Sequence, residues 1–248
     1  MGLPPVSRCC RRCRGRPLVW EASCTRDGSA WSCRRTVLCF GDSLTEGFCQ
    51  GGRVFRPYSG RLAQRLRQLC AASAPAVVNA GESGETTRQM LERLPAFVAG
   101  APRPAGMGSE DSRPIQGPRD VVLILGGTND LPSLSAERIV DNLLELHRMV
   151  HRAGAVSGVL TVPDVRVGME LERQPFKEKQ QFVNEKLRAF AEQSGGCSFL
   201  VDVAAALPQD SAHAELWEPD GVHMSERGYH ALGELLAGAC PPPLLGAS

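Results

Sequence analysis

From residue 36 onward, short apolar runs alternate with longer amphipathic segments, and this alternation constrains the fold more than any other feature of the chain. The runs at 36–40, 76–79, 120–125, 156–162 and 197–203 have the length of strands. In Asp120-Val-Val-Leu-Ile-Leu125 the apolar residues follow one another almost without a break. Such a run suits a strand buried on both faces of a parallel sheet. Between the runs, apolar residues recur at helical spacing: Leu62, Leu66 and Leu69 in 59–71, and Ile139, Leu143, Leu146 and Val150 in 135–152. Ser135 and Ser225 stand where helix N-caps belong, and segments 86–99, 174–193 and 225–238 complete the set. A repeating strand–helix order implies right-handed crossovers and a parallel sheet covered by helices on both sides. The expected fold is a flavodoxin-like three-layer α/β/α sandwich with five parallel strands, and ligands of such folds gather at the carboxyl ends of the strands.

The ends of the chain read differently. Residues 1–35 hold eight arginines against two acidic residues, whereas the remainder carries 20 basic and 25 acidic residues. Arg8 to Arg16 interrupts any apolar signal core, and Pro4, Pro5 and Pro17 spoil a long amphipathic helix. The segment is expected to be a disordered, basic, Cys-rich leader, with organelle targeting as the alternative to a cytoplasmic location. Residues 36–239 form the expected domain and 240–248 a C-terminal tail. Residues 101–119, with four prolines and no period, read as an insertion within the domain.

Composition excludes several classes. A net charge of +1 gives no general reason to expect nucleic acid or an anionic membrane as partner. No stretch approaches the roughly 20 apolar residues that span a bilayer. Neither Tyr58 nor Tyr229 belongs to an aromatic–basic array that would stack bases. Cys10-x-x-Cys13 has the spacing of half a zinc site, but a second such pair is missing. Cys39, Cys49, Cys70, Cys197 and Cys240 are scattered, and read as buried free thiols. His147 and His151 are four apart on one helix, yet Arg148 stands where a zincin motif has glutamate, so neither metal nor other cofactor is expected.

Chemistry concentrates in four places. Gly41-Asp42-Ser43-Leu44-Thr45 follows the first strand directly, which puts a serine at the tip of a strand-ending turn. A serine hydroxyl is a poor nucleophile until a base takes its proton. Of five histidines, His223 stands after the last strand, just before a helix, with Asp220 three residues earlier. A carboxylate so placed can orient the imidazole and stabilise its charged form. The other two pieces are Ser83-Gly84-Glu85-Thr86 and Gly127-Thr128-Asn129-Asp130. Gly-x-Ser-x-Gly, Walker A and Gly-x-Gly-x-x-Gly patterns do not occur.

These four pieces, in this order over residues 36–239, resemble the SGNH (GDSL) hydrolase superfamily of serine esterases and lipases. The resemblance implies a metal-independent ester hydrolase with Ser43 as nucleophile, His223 as proton shuttle and Asp220 as its orienting acid. It also implies an oxyanion hole made by the backbone N–H groups of Ser43 and Gly84 and the side-chain amide of Asn129. Gly81 is the alternative to Gly84. Asp42 and Asp130 are read as braces of their loops. The expected partner is a small-molecule ester, with short acyl groups favoured because Met107 and Ile115 are the only large apolar residues in 101–119. A thioester or an acetylated carbohydrate is the rival substrate, a silent binding module the rival on the same fold, and zinc binding by the leader a third class.

Overall fold

The computed structural model describes residues 35–70, 74–98, 120–166 and 170–241, with the side chains of 170–173 left aside. The leader apart from Arg35, the insertion 101–119 and residues 242–248 lie outside the described residues.

Five strands form one parallel sheet: β1 (Thr36–Gly41), β4 (Ala76–Gly81), β5 (Val121–Leu125), β6 (Val156–Leu160) and β7 (Ser198–Val201), in the order β4-β1-β5-β6-β7. All four pairings are parallel, with Thr36 opposite Ala76 and Val37 opposite Val121. Side chains alternate across β1 and β5. Val37, Cys39, Val121, Leu123 and Leu125 enter one core with α2 (Tyr58–Cys70) and α8 (Glu226–Ala239). Leu38, Phe40, Val122 and Ile124 enter the other with α3 (Thr87–Arg93), α5 (Ala136–Arg152) and α6 (Glu170–Gln193). Burying both faces explains the unbroken apolar run at 121–125, since each such Leu or Ile contributes about 1.5–3 kcal/mol.

The chain runs from β1 outward to β4 and then back past β1 to β5, β6 and β7. The order therefore reverses between β1 and β5, the switch point at which ligands of open α/β sheets bind. Gly41-Asp42-Ser43 follows β1 and Gly127-Thr128-Asn129 follows β5, so the topology alone brings these two motifs to one place.

Some boundaries differ from expectation. Segment 86–99 splits at Leu94 into α3 and α4 (Pro95–Val98), because proline has no N–H to continue the ladder. Helix α6 begins at Glu170 and takes Pro175 inside it rather than starting at 174. The strand expected over 197–203 ends at Val201, where the Asp202 side chain accepts from Ala205 N–H and caps a short helix α7 (Val203–Ala206). Ser135 and Ser225 do cap α5 and α8, accepting from Arg138 N–H and Gly228 N–H. An antiparallel hairpin of β2 (Phe48–Cys49) and β3 (Val54–Phe55) was not expected. Cys39, Cys49 and Cys240 are buried free thiols and Cys70 is buried outside any disulfide, whereas Cys197 is disulfide-bonded and departs from the reading made for it.

Candidate active site

Ser43 opens a four-residue helix, α1 (Ser43–Glu46), at the end of β1. Asp42 is its N-cap: the carboxylate accepts from Leu44 N–H at 3.0 Å, and the Asp42 carbonyl accepts from Thr45 and Glu46 N–H. These bonds engage every early N–H of α1 except that of Ser43, which has no intrahelical partner to meet. Gly47 closes the turn in the left-handed region, φ 89°, and a Cβ there would lie 2.2 Å from Pro57 N.

Asp220 and His223 sit on a loop closed by an isolated bridge between Trp217 and Met224 and by Glu218 N–H donating to the His223 carbonyl at 2.8 Å. Asp220 Oδ1 accepts from Val222 N–H and His223 N–H, both at 2.9 Å, which leaves Oδ2 for the ring. His223 Nδ1 is 2.7 Å from Asp220 Oδ2, and its Nε2 is 2.9 Å from Ser43 Oγ. Gly221 has φ 71° and packs on the backbone of Arg166, whose N–H donates to the Gly221 carbonyl at 2.7 Å. One unbroken chain of hydrogen bonds thus joins the three residues singled out in the sequence, across 180 positions.

The remaining two candidates lie beside it. Gly84 is in the left-handed region, φ 79°, within a turn closed by Glu85 N–H to the Glu82 carbonyl at 3.3 Å. Asn129 Nδ2 donates to the Glu85 carbonyl at 3.0 Å, which orients the amide and leaves its second N–H available. Gly81, the alternative to Gly84, is instead part of β4 and pressed against α1, where a Cβ would lie 2.0 Å from Glu46 N.

A model of the GDSL-like lipase/acylhydrolase family matches residues 39–231, well over half of the chain. The chain belongs to that family. It is a hydrolase of the GDSL type with the family's α/β fold. Among solved structures it is similar to the lipase/acylhydrolase from Enterococcus faecalis, at 25% identity and a TM-score of 0.62 over 86% of this chain and 96% of that one. It is similar in fold to LAE5, an alpha/beta hydrolase enzyme from the metagenome of Lake Arreo, at 20% identity and a TM-score of 0.62 over 86% and 95% of the two chains. A member of the lipolytic protein G-D-S-L family from Veillonella parvula has the same fold, at 18% identity and a TM-score of 0.60 over 82% and 97%. No curated protein sequence matches this GDSL chain significantly.

The electrostatics of the GDSL site follow from burial. Desolvation opposes ionisation of Asp220, but hydrogen bonds from the His223 N–H, the His223 ring and the Val222 N–H outweigh it and hold the carboxyl below its ordinary value. An ionised Asp220 selects the tautomer with the proton on Nδ1, which leaves the Nε2 lone pair facing the Ser43 hydroxyl. Burial pushes Asp42 up to about 7, against the Leu44 N–H and helped by the charges of Asp130 and Glu85. Its carboxyl braces the turn and does not bond His223. Asp130 has the same kind of role, accepting from Thr87 N–H at 3.0 Å and Thr87 Oγ1 at 2.9 Å.

Other residues of the site escaped the sequence reading. The Phe48 ring lies against the His223 ring, centroids 4.3 Å apart, and its carbonyl accepts from Tyr229 Oη at 3.0 Å. Two glycines beyond a Phe-Cys pair hint at the hairpin, but two-residue strands show no period. Arg93 is a largely buried clamp: it pairs with Glu85, lies 3.6 Å from Glu82 and donates to the carbonyls of Ala80 at 3.0 Å and Gly41 at 3.1 Å. Its guanidinium also lies over the Phe40 ring, 4.2 Å from the centroid. Removing Arg93 leaves the buried Glu85 carboxylate without its ion-pair partner, at a cost of about 3–5 kcal/mol, whereas Arg93 without Glu85 keeps Glu82 and the two carbonyls.

The two histidines of α5 take no part in the site. Burial holds the His147 imidazole down to about 3, hence neutral, beside the Phe190 ring. His151 bonds Ser157 and Ser198, both at 2.9 Å. Among the described residues no group of three or more His, Cys, Asp or Glu is placed to hold a metal ion, and no helix is long and apolar enough to cross a membrane.

Proposed function

We propose that this GDSL hydrolase cleaves carboxylic esters of short acyl chains through an acyl-enzyme on Ser43. The observation that carries the reading is the continuous chain Ser43 Oγ–His223 Nε2, His223 Nδ1–Asp220 Oδ2, at 2.9 and 2.7 Å. In the first step His223 Nε2 takes the Ser43 proton as Oγ attacks the ester carbonyl, and Asp220 stabilises the imidazolium. The oxyanion then forms beside the N–H groups of Ser43 and Gly84 and the second amide hydrogen of Asn129, donors already oriented before substrate arrives. His223 passes its proton to the departing alkoxide. Water, activated by the same imidazole, attacks the acyl-enzyme and restores Ser43.

One feature of the sequence supports a short acyl group. The sequence of 101–119 offers only Met107 and Ile115 as large apolar residues to cover a chain. Each additional buried CH₂ would contribute about 0.8 kcal/mol if an apolar wall met it.

A panel of p-nitrophenyl esters from acetyl to palmitoyl, run beside an acyl-CoA and an acetylated sugar, tests this. The expected result is a kcat/KM that peaks between about C2 and C6, with no activation on emulsified triglyceride. A kcat/KM still rising at palmitoyl contradicts the short-chain assignment. Preference for the acyl-CoA or the acetylated sugar replaces the ester by that substrate.

A further inference from the structure

The loop that carries Gly84 is tied down on both sides. On the Glu85 side, the Arg93 guanidinium holds the Glu85 carboxylate and Asn129 holds the Glu85 carbonyl. On the other side, a single atom does the work: Glu46 Oε2 accepts from Ser83 N–H at 2.9 Å and from the Ser83 hydroxyl. Glu46 is the last residue of α1, three positions after Ser43, and none of the sequence motifs includes it. Backbone contact makes the link short and stiff. Gly81 packs directly on the backbone of Thr45 and Glu46, and Glu82 N–H donates to the Gly41 carbonyl at 3.0 Å. The Glu46 carboxylate is thus a direct side-chain tie between the turn that presents the Ser43 N–H and the turn that presents the Gly84 N–H, beside Arg93, which joins Glu85 to the Gly41 carbonyl.

Two donors that must converge on one oxygen gain most from being fixed relative to each other, since a misplacement of about 1 Å can cost on the order of 10²-fold in rate. Gly84 is exposed, and φ 79° at a glycine gives its peptide little steric restraint of its own. We infer that Glu46 is a positioning residue of the oxyanion hole, acting through Ser83 to hold the Gly84 N–H in register with the Ser43 N–H. It touches neither substrate nor the reacting atoms. The inference rests on the ester-hydrolase reading above. Charge is not the requirement: both bonds converge on one oxygen, so an amide oxygen in its place serves equally.

The test compares Glu46→Ala, Glu46→Gln, Ser83→Ala and the double variant Glu46→Ala/Ser83→Ala in the full chain. The readouts are kcat and KM on p-nitrophenyl butyrate, the Ki of a trifluoromethyl ketone that forms a tetrahedral adduct, and Tm. Glu46→Ala should lower kcat by about 10- to 100-fold with KM within about twofold, and weaken the ketone in proportion. Glu46→Gln should retain activity within about threefold of the parent, and the double variant should lose no more than the worse single one, because both substitutions cut the same link. Should Glu46→Ala fold poorly, Ser83→Ala cuts the link from its other end and should show the same split between kcat and KM. An undiminished kcat in Glu46→Ala, a Glu46→Gln as impaired as Glu46→Ala, or a kcat loss without weaker ketone binding each overturns the inference. Ser43→Ala is run alongside. Turnover persisting there shows that the ester-hydrolase reading has failed, whereas an inactive Ser43→Ala beside an unimpaired Glu46→Ala shows that only the role of Glu46 has.

Discussion

The molecule contains the same local device twice. In Asp210-Ser-Ala-His213 the aspartate accepts from two backbone N–H groups of its own turn, at 2.9 and 3.0 Å, and meets the histidine Nδ1 at 2.7 Å. In Asp220-Gly-Val-His223 the corresponding distances are 2.9, 2.9 and 2.7 Å. In both turns the carboxyl is held below its ordinary value: at Asp210 the His213 ring does most of this, and at Asp220 hydrogen bonds outweigh burial. What differs lies outside the turn. The His223 ring packs on Phe48 and reaches Ser43, with 17% of its side chain exposed, whereas His213 is 37% exposed and its Nε2 meets no nucleophile among the described residues. An Asp-x-x-His pair is therefore a product of local turn chemistry. Its use is decided by the tertiary neighbours, here the β2–β3 hairpin and the loop after β1.

The largest effect that separates the two turns comes from the histidines. His223→Ala should lower kcat by about 10⁴-fold or more, as should Ser43→Ala, while His213→Ala should leave kcat/KM within about twofold. Equal losses at the two histidines would show that the geometry does not discriminate them. The aspartates sharpen the same contrast. Asp220→Asn should cost on the order of 10³-fold in kcat by losing the tautomer that faces Ser43, and Asp210→Asn should cost nothing measurable. Next in size is Asn129→Ala, which leaves both turns intact and removes one of the proposed oxyanion donors. A fall in kcat of about 10²–10³-fold with little change in KM is expected, and an unchanged kcat would make Asn129 purely structural.

The smallest effect concerns a third turn aspartate, Asp42, which is fully buried where Asp210 and Asp220 are not. Its carboxyl is pushed up to about 7 by burial. Between about pH 4 and 7 the folded protein keeps a proton that the unfolded chain has released. The group's contribution to stability is thus present at the acid end of this window and is lost as pH rises through it. Asp42→Asn keeps an acceptor for Leu44 N–H and removes the titration. Urea unfolding at pH 5 and pH 8 should show the parent losing more stability over that interval than the variant. Equal losses would mean that Asp42 is ionised throughout.

How much of this was legible in the sequence follows the range of the forces involved. The strands at 36–41 and 121–125 announce themselves because burial on both faces leaves no room for polar residues. Helix α5 does so through its apolar stripe and the Ser135 cap. The motifs after β1 and β5, and the loop carrying Asp220 and His223, were visible as residues, and the sheet order explains why the first two meet. What was not visible depends on contacts between distant segments. Phe48 on His223, Glu46 on Ser83 and Arg93 on Glu85 leave no period and no spacing rule. The same limit applies to Asp210 and His213, whose turn chemistry is as good as that of the pair beside Ser43 and whose position alone sets it apart.

Fluorophosphonate labelling with peptide mapping tests the central claim most directly, because phosphonylation requires a serine activated by its own base and needs no knowledge of the natural substrate. The parent protein should be labelled at Ser43 alone. His223→Ala should abolish the label, and His213→Ala should label at the parental rate. Modification at Ser83 or Ser225 in place of Ser43, or undiminished labelling of Ser43 in His223→Ala, would contradict the account.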